Sequence, residues 1–301
     1  MNMEVEIAGI KLSNPVMNAS GTFGQAEYAS YTDITAPGAV VAKSVTLEPR
    51  LGNPPPRIAE TSCGAMNSVG IQNGGVRNFV DDKLPAMRAA GVPIIASIAG
   101  TSAEEYGEVA AILEEAEGIA AYEVNISCPN IEAGGKAFGV YAGETRRVTR
   151  IVKDAATRPV IVKLSPNVTD ITEIAAAAAD GGADALTIAN TYLGLAVDLD
   201  TGRPVLGNVL GGLSGPAIKP ITQRLVYEVR HVMDIPIIAS GGIANYKDAL
   251  EYLMIGANAV QAGLANLSRP DVMAEMIVGI QNFMEQRHIE DINEFIGSLR
   301  D

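Results

Sequence analysis

The chain has 301 residues, 48% of them hydrophobic, and 35 acidic against 22 basic side chains, so its formal charge is −13. That apolar content can bury a large core, expected as a single domain over residues 1–301, while the acidic balance argues against nucleic acid, whose phosphates call for clustered Lys and Arg. Two cysteines are too few for a disulfide framework, no window reaches the roughly 18 to 20 uncharged apolar residues that span a bilayer, and no early stretch reads as a signal peptide; the expectation is a cytoplasmic protein with no membrane and no nucleic-acid partner.

From the amino end, Val5–Ile7 and Lys11–Leu12 around Ala8-Gly9 predict a β-hairpin capping the bottom of the fold. Eight short β-branched or apolar runs follow: Val16–Ala19, Ala39–Ala42, Ile94–Ile98, Ala121–Val124, Val160–Val162, Ala185–Ala189, Ile237–Ala239 and Ala259–Ala262. Segments with helical periodicity separate them, the signature of parallel βα units. The prediction is an α/β fold, a (β/α)8 TIM barrel with an N-terminal β-hairpin and long active-site loop insertions. Three helices open on an N-cap residue with an acid three positions later: Ser102 with Glu105, Asp170 with Glu173, and Asn245 with Asp248. The alanine run Ala175–Ala179 predicts close helix-to-sheet packing, and Ile221, Leu225, Val229 and Met233 predict one apolar helix face. The connections holding Leu47–Gly75 and Tyr192–Pro220 are longer than a βα unit needs, which marks them as lids or binding loops.

A barrel of this kind carries its site at the carboxyl ends of the strands, and chemically useful residues gather there. The runs end in Asn18-Ala19-Ser20-Gly21, Lys43-Ser44, Asn125-Ile126-Ser127-Cys128, Lys163, Asn190-Thr191, Ser240-Gly241-Gly242 and Gly263. Lys43 and Lys163 each follow an apolar run without a break, which aims two ammonium groups at the barrel mouth and implies an anionic ligand or a charge that develops during reaction. The glycines after the last two strands suit a phosphate, because backbone N–H groups can close on its oxygens.

Cys128 sits in Asn-Ile-Ser-Cys-Pro-Asn beside these cations, where a thiolate can act as a general base. Cys63, away from the lysine-bearing strand ends, is expected to be a small packing residue. The two histidines, His231 and His288, fall at no strand end, so a Ser-His-Asp hydrolase or a histidine metal site has no support and no metal is expected.

From about Val5 to about Leu264 the motifs resemble those of the class 1 dihydroorotate dehydrogenases. The most specific is Asn125-Ile126-Ser127-Cys128-Pro129-Asn130, joined by Met66-Asn67-Ser68-Val69-Gly70-Ile71-Gln72-Asn73, Lys163-Leu164-Ser165-Pro166-Asn167, Leu213-Ser214-Gly215-Pro216 and Ser240-Gly241-Gly242-Ile243. The resemblance implies FMN-dependent oxidation of dihydroorotate to orotate in pyrimidine biosynthesis, with Cys128 taking a proton from ring C5 while hydride leaves C6 for N5 of FMN. It implies that Lys163 faces the flavin and Lys43 lies near flavin and substrate carboxylate. Asn67, Asn125, Asn190 and Thr191 would hydrogen-bond the pyrimidine, with Ser68, Val69, Gly70 and Ile71 beside them; an amide offers the ring both donor and acceptor. Ser20, Gly21, Ser44, Ser97, Asn125, Ala189 and Gly215 would line the flavin, and Gly241, Gly242, Gly263 and Leu264 would hold its phosphate. Leu264 replaces the family's usual Thr, removing a hydroxyl from the phosphate, and Ser97 replaces a common Asn.

The serine base and amino-terminal membrane segment of class 2 members are not seen. The stretch Glu132-Ala133-Gly134-Gly135-Lys136-Ala137-Phe138-Gly139 is similar to the 1B branch, which implies a homodimer joined to electron-transfer subunits carrying FAD and a [2Fe-2S] cluster, a heterotetramer that passes electrons to NAD. Other readings of the same residues are a fumarate-using 1A homodimer, a dihydrouracil-type pyrimidine reductase, and a phosphate-binding barrel aldolase with a Schiff base on Lys163.

Overall fold

The structure, a computed structural model, describes residues 1–23, 30–127 and 138–300. In chain order its strands are β1 (Val5–Ile7), β2 (Ile10–Leu12), β3 (Val16–Asn18), β4 (Val40–Val41), β5 (Ile58–Thr61), β6 (Gly64–Asn67), β7 (Ile94–Ile98) and β8 (Ala121–Asn125). The second half adds β9 (Val160–Lys163), β10 (Ala185–Ile188), β11 (Tyr192–Leu195), β12 (Val197–Asp198), β13 (Arg203–Pro204), β14 (Leu210–Ser214), β15 (Ile237–Ser240) and β16 (Ala259–Ala262). The helices are α1 (Gly75–Asn78), α2 (Leu84–Arg88), α3 (Ala103–Glu114), α4 (Ala142–Ala155), α5 (Ile171–Gly181), α6 (Lys219–Val232), α7 (Tyr246–Ile255), α8 (Leu264–Ser268) and α9 (Val272–Arg287).

Eight strands form one parallel sheet in the order β3-β16-β15-β10-β9-β8-β7-β4. Its two ends meet at a parallel bridge between Met17 and Ala39, so the sheet closes into the predicted barrel. Because β4 is only two residues long, a side chain completes the seam: Asn18 Oδ1 accepts from Val41 N at 2.9 Å and Asn18 Nδ2 donates to Val41 O at 2.8 Å. Helices cover the sheet from outside, so the strands are buried on both faces, which is why they read as apolar runs rather than alternations.

The amino-terminal hairpin pairs β1 with β2 antiparallel through Ala8 (φ 51°) and Gly9 (φ 83°), the left-handed pair a two-residue hairpin turn requires. Of the three predicted N-caps, Ser102 Oγ accepts from Glu105 N, Asp170 from Thr172 N, and Asn245 from Lys247 N and Asp248 N. Gly182 and Gly256 end α5 and α7 in left-handed conformation. Ala175, Ala177 and Ala178 are buried, as close packing demands. The α6 face differs from expectation: Thr222, Leu225, Val226 and Val229 are buried, while Ile221 turns outward at 44% exposure.

The two long insertions are not simple loops. They contribute β11, β14, β6 and β5, in that order, to one antiparallel sheet, with β12 and β13 as a separate two-stranded pair. Ala59, Met66 and Leu206 form a small core of their own under that sheet, apart from the main core.

Candidate active site at the barrel mouth

The carboxyl ends of the strands and the added sheet enclose a cavity of about 570 Å3, within the size range of small-molecule sites. Ser20, Gly21, Lys43, Ser44, Asn67, Val69, Gly70, Ile71, Asn125, Lys163, Ala189, Asn190, Thr191, Gly215, Gly241, Gly242, Gly263 and Leu264 all line it. Two predicted site residues do not. Ser68 is buried, its hydroxyl taking a hydrogen bond from Asn53 Nδ2 at 2.9 Å. Ser97 is fully buried, its Oγ 2.8 Å from Ser44 Oγ, so a shorter side chain has retreated behind the wall. Cys128 lies outside the described residues.

The floor is polar and buried. Lys163, the last residue of β9, is 5% exposed; its Nζ donates to Gln261 Oε1 at 3.1 Å and lies 3.5 Å from Glu123 Oε1. Glu123 Oε2 accepts from Gln261 Nε2 at 2.7 Å and from Thr187 Oγ1 at 3.0 Å. Four strands thus each send one polar side chain into the barrel interior. As the sequence reading has it, Lys163 ends its strand and reaches the cavity, where it forms part of the floor.

Above the floor the walls are hydrogen-bonded. Asn125 Nδ2 donates to Ser44 Oγ at 3.1 Å, and Asn125 Oδ1 accepts from Ser127 Oγ at 3.0 Å. Asn190 Nδ2 donates to Ser127 Oγ at 2.7 Å, which ties the end of the β10 loop to the residue before Cys128. Asn67 ends β6 and reaches the cavity from the added sheet. Ile71 adopts φ 53°, an outlier for a β-branched residue, and Asn73 Nδ2 holds its carbonyl at 2.8 Å. Lys43 is exposed, and a Cβ on Gly21 (φ 77°) would come within 2.9 Å of its Cδ, so glycine is needed there both for the turn and for the lysine stem.

At the far end, Tyr252 Oη donates to Gly241 O at 2.7 Å, and burial pushes that phenol well above its usual range, so it stays a donor. A Cβ on Gly242 (φ 70°) would meet the Lys219 backbone N at 2.8 Å. Burial disfavours the Lys219 ammonium, but the hydrogen bonds it donates to Asp248 and Glu251 outweigh that and hold its pKa above the usual value.

Three groups of residues escaped the sequence reading. Arg269 lines this far end, its guanidinium bonded to Ala244 O and paired with Glu275 at 2.9 Å; as the residue before a proline in a polar turn it carried no signal. Ser268 is also in the lining, as are Ser214 and Ser240, which stand in the sequence motifs but were given no ligand contact there. Glu123, Thr187 and Gln261 did carry one: a polar side chain in the middle of a strand buried on both faces. Cys63 corrects an expectation, because it is exposed in the β5–β6 turn rather than packed. His231 bonds its own helix at Tyr227 O, away from the cavity. Among the described residues no cluster of His, Cys, Asp and Glu could hold a metal, and no helix is long and apolar enough to cross a membrane.

A sequence profile of the dihydroorotate dehydrogenase family matches residues 2–284. The chain is 50% identical over 301 residues to the dihydroorotate dehydrogenase B (NAD(+)) catalytic subunit of Thermoanaerobacter sp. strain X514, covering 100% of this chain and 99% of that one. It is likewise 50% identical to the proteins of the same name from Desulforamulus reducens, over 99% and 98% of the two chains, and Alkaliphilus metalliredigens, over 99% of each.

Proposed function

The chain belongs to the dihydroorotate dehydrogenase family, and on that premise we propose that it oxidises dihydroorotate to orotate at the barrel-mouth cavity, using FMN and passing the electrons to NAD through a partner subunit. The observation that carries this reading is the single cavity into which Lys43, Lys163, three asparagine side chains and the glycine turns all open.

The lining suits FMN. A Cβ added to Gly263 would meet only Ala19 Cβ, at 3.6 Å, so packing within the protein does not demand glycine there; the room opens into the cavity. Gly241, Gly242, Gly263 and Leu264 would hold the phosphate, with backbone donation standing in for the hydroxyl that Leu264 lacks and Arg269 adding positive charge. Ser20, Gly21, Ser44, Asn125, Ala189 and Gly215 would flank the ring. When bound, FMN supplies the acceptor for the hydride that leaves substrate C6.

The chain's own residues do the rest. Asn67, Asn125, Asn190 and Thr191 hydrogen-bond the pyrimidine, and Val69, Gly70 and Ile71 close over it. Lys43 attracts the substrate carboxylate. Cys128 removes the C5 proton, and Asn190, bonded to Ser127 Oγ, orients the chain that presents it. Lys163 offsets the negative charge that arrives with the hydride. Lys163 Nζ is held at the floor by Gln261 Oε1 and Glu123 Oε1, turned to its neighbours rather than standing free for a carbonyl, which weighs against the Schiff-base aldolase.

Similarity to proteins named as NAD(+)-linked catalytic subunits favours NAD over fumarate as acceptor. With two cysteines in 301 residues, the chain cannot itself hold a [2Fe-2S] cluster on four thiolates, so the cluster, and with it the FAD that the resemblance to the 1B branch implies, would sit on the partner. The exposed Leu193 and Leu195 on the edge strand of the added sheet, with Val197 and Leu199 just after it, give an apolar surface suited to a second copy of the chain.

Anaerobic titration tests the reading: the purified yellow protein should bleach with dihydroorotate, stay yellow with dihydrouracil, and reduce NAD only after the FAD and iron–sulfur subunit is added. A colourless protein trapped by borohydride on Lys163 with a sugar phosphate would overturn it.

A further inference from the structure

We propose that Glu123 is a positioning residue that fixes Lys163 under the flavin and holds down the flavin's reduction potential; this rests on the flavin reading above. Glu123 is fully buried in the middle of β8, where a carboxylate is costly unless its oxygens are satisfied. Gln261 and Thr187 satisfy only Oε2. Oε1 accepts no hydrogen bond among the described residues and stands 3.5 Å from Lys163 Nζ, its ion-pair partner. The carboxylate is therefore oriented by two neutral donors so that its other oxygen faces the lysine.

Gln261 completes the arrangement. Its amide donates to Glu123 and its carbonyl accepts from Lys163 Nζ at 3.1 Å, so it bridges both ends of the pair across the barrel. The lysine is held from two sides and rises into the cavity floor. Its positive charge stabilises a flavin that has gained a hydride, which is two electrons and a proton, and the nearby carboxylate cancels part of that stabilisation at low local dielectric. The pair keeps the flavin reducing enough to hand electrons onward, while the lysine alone would trap them.

Gln261 also makes the claim testable, because the carboxylate can be moved. In FMN-loaded protein, Glu123→Gln should raise the midpoint potential, shifting the two-electron equilibrium at least tenfold, about 30 mV. The double exchange, Glu123→Gln with Gln261→Glu, returns one carboxylate to Lys163 and should restore a potential near that of the unaltered protein, which a purely structural role would not do. An unchanged or lowered potential in Glu123→Gln, or a double variant that keeps the raised value, overturns the proposal. Should Glu123→Gln alone not accumulate as folded protein, the double variant decides, a potential raised at least tenfold in the two-electron equilibrium overturning the proposal. A protein that takes up no FMN at all sinks the flavin reading and this inference with it, a result distinct from a yellow protein whose potential ignores Glu123.

Discussion

Lys163 and Lys43 end similar apolar strands, yet the floor and the mouth of the cavity treat them oppositely. Lys163 pairs in register with Asn125 and Thr187, so it lies within the ladder, buried and bonded to Gln261 and Glu123. Lys43 comes two residues after β4 has ended, lies exposed, and rests against Gly21. Both line the cavity, and one rung of strand length decides whether a lysine is also tied into the barrel's interior. The floor should therefore couple to folding, and the mouth to ligand and chemistry.

The largest effect expected belongs to the mouth. Cys128→Ala should lower flavin reduction by dihydroorotate roughly 100- to 10,000-fold in stopped flow while FMN content and unfolding midpoint stay unchanged. Cys128→Ser should be slow at neutral pH and recover as pH rises, because a hydroxyl is the poorer base. A parallel loss of FMN would erase the separation of mouth from floor.

Next comes the contrast between the lysines. Lys163→Met leaves Glu123 buried without a cation and should cost about 3 to 5 kcal/mol in urea unfolding. Lys43→Met, at an exposed site, should change stability by no more than about 0.5 kcal/mol while weakening orotate binding. Equal stability losses would contradict the distinction. Smaller again, Asn67→Ala should weaken orotate by about 1 kcal/mol, roughly fivefold in titration calorimetry, with FMN retained. The smallest effect is at the far end, where Leu264→Thr should tighten FMN by up to about 1 kcal/mol in fluorescence titration.

Much of this was legible in the sequence. The eight barrel strands, the hairpin and the N-caps were visible because short buried parallel strands and helix starts are local signals. The four-stranded sheet over the mouth was not: β6 and β14 are glycine-rich, lack alternation, and pair across some 145 residues, as in Asn67 with Gly212. Most named site residues converge because motifs at strand ends must share one rim. Ser97 departs because its hydroxyl is satisfied by Ser44 behind the wall, and Ser68 because Asn53 takes it. Glu123 and Gln261 went unused because reading strand ends overlooks strand middles, where a charge costs most and so means most. Arg269 and the exposure of Cys63 depend on where turns point, which periodicity does not encode.

The most direct test is a crystal structure of the protein with orotate. The flavin ring should cross the barrel mouth with its phosphate at Gly241, Gly242 and Gly263, its ring against Lys163, and orotate between Asn67 and Asn190. Orotate bound elsewhere, or FMN found away from Lys163, would contradict the account.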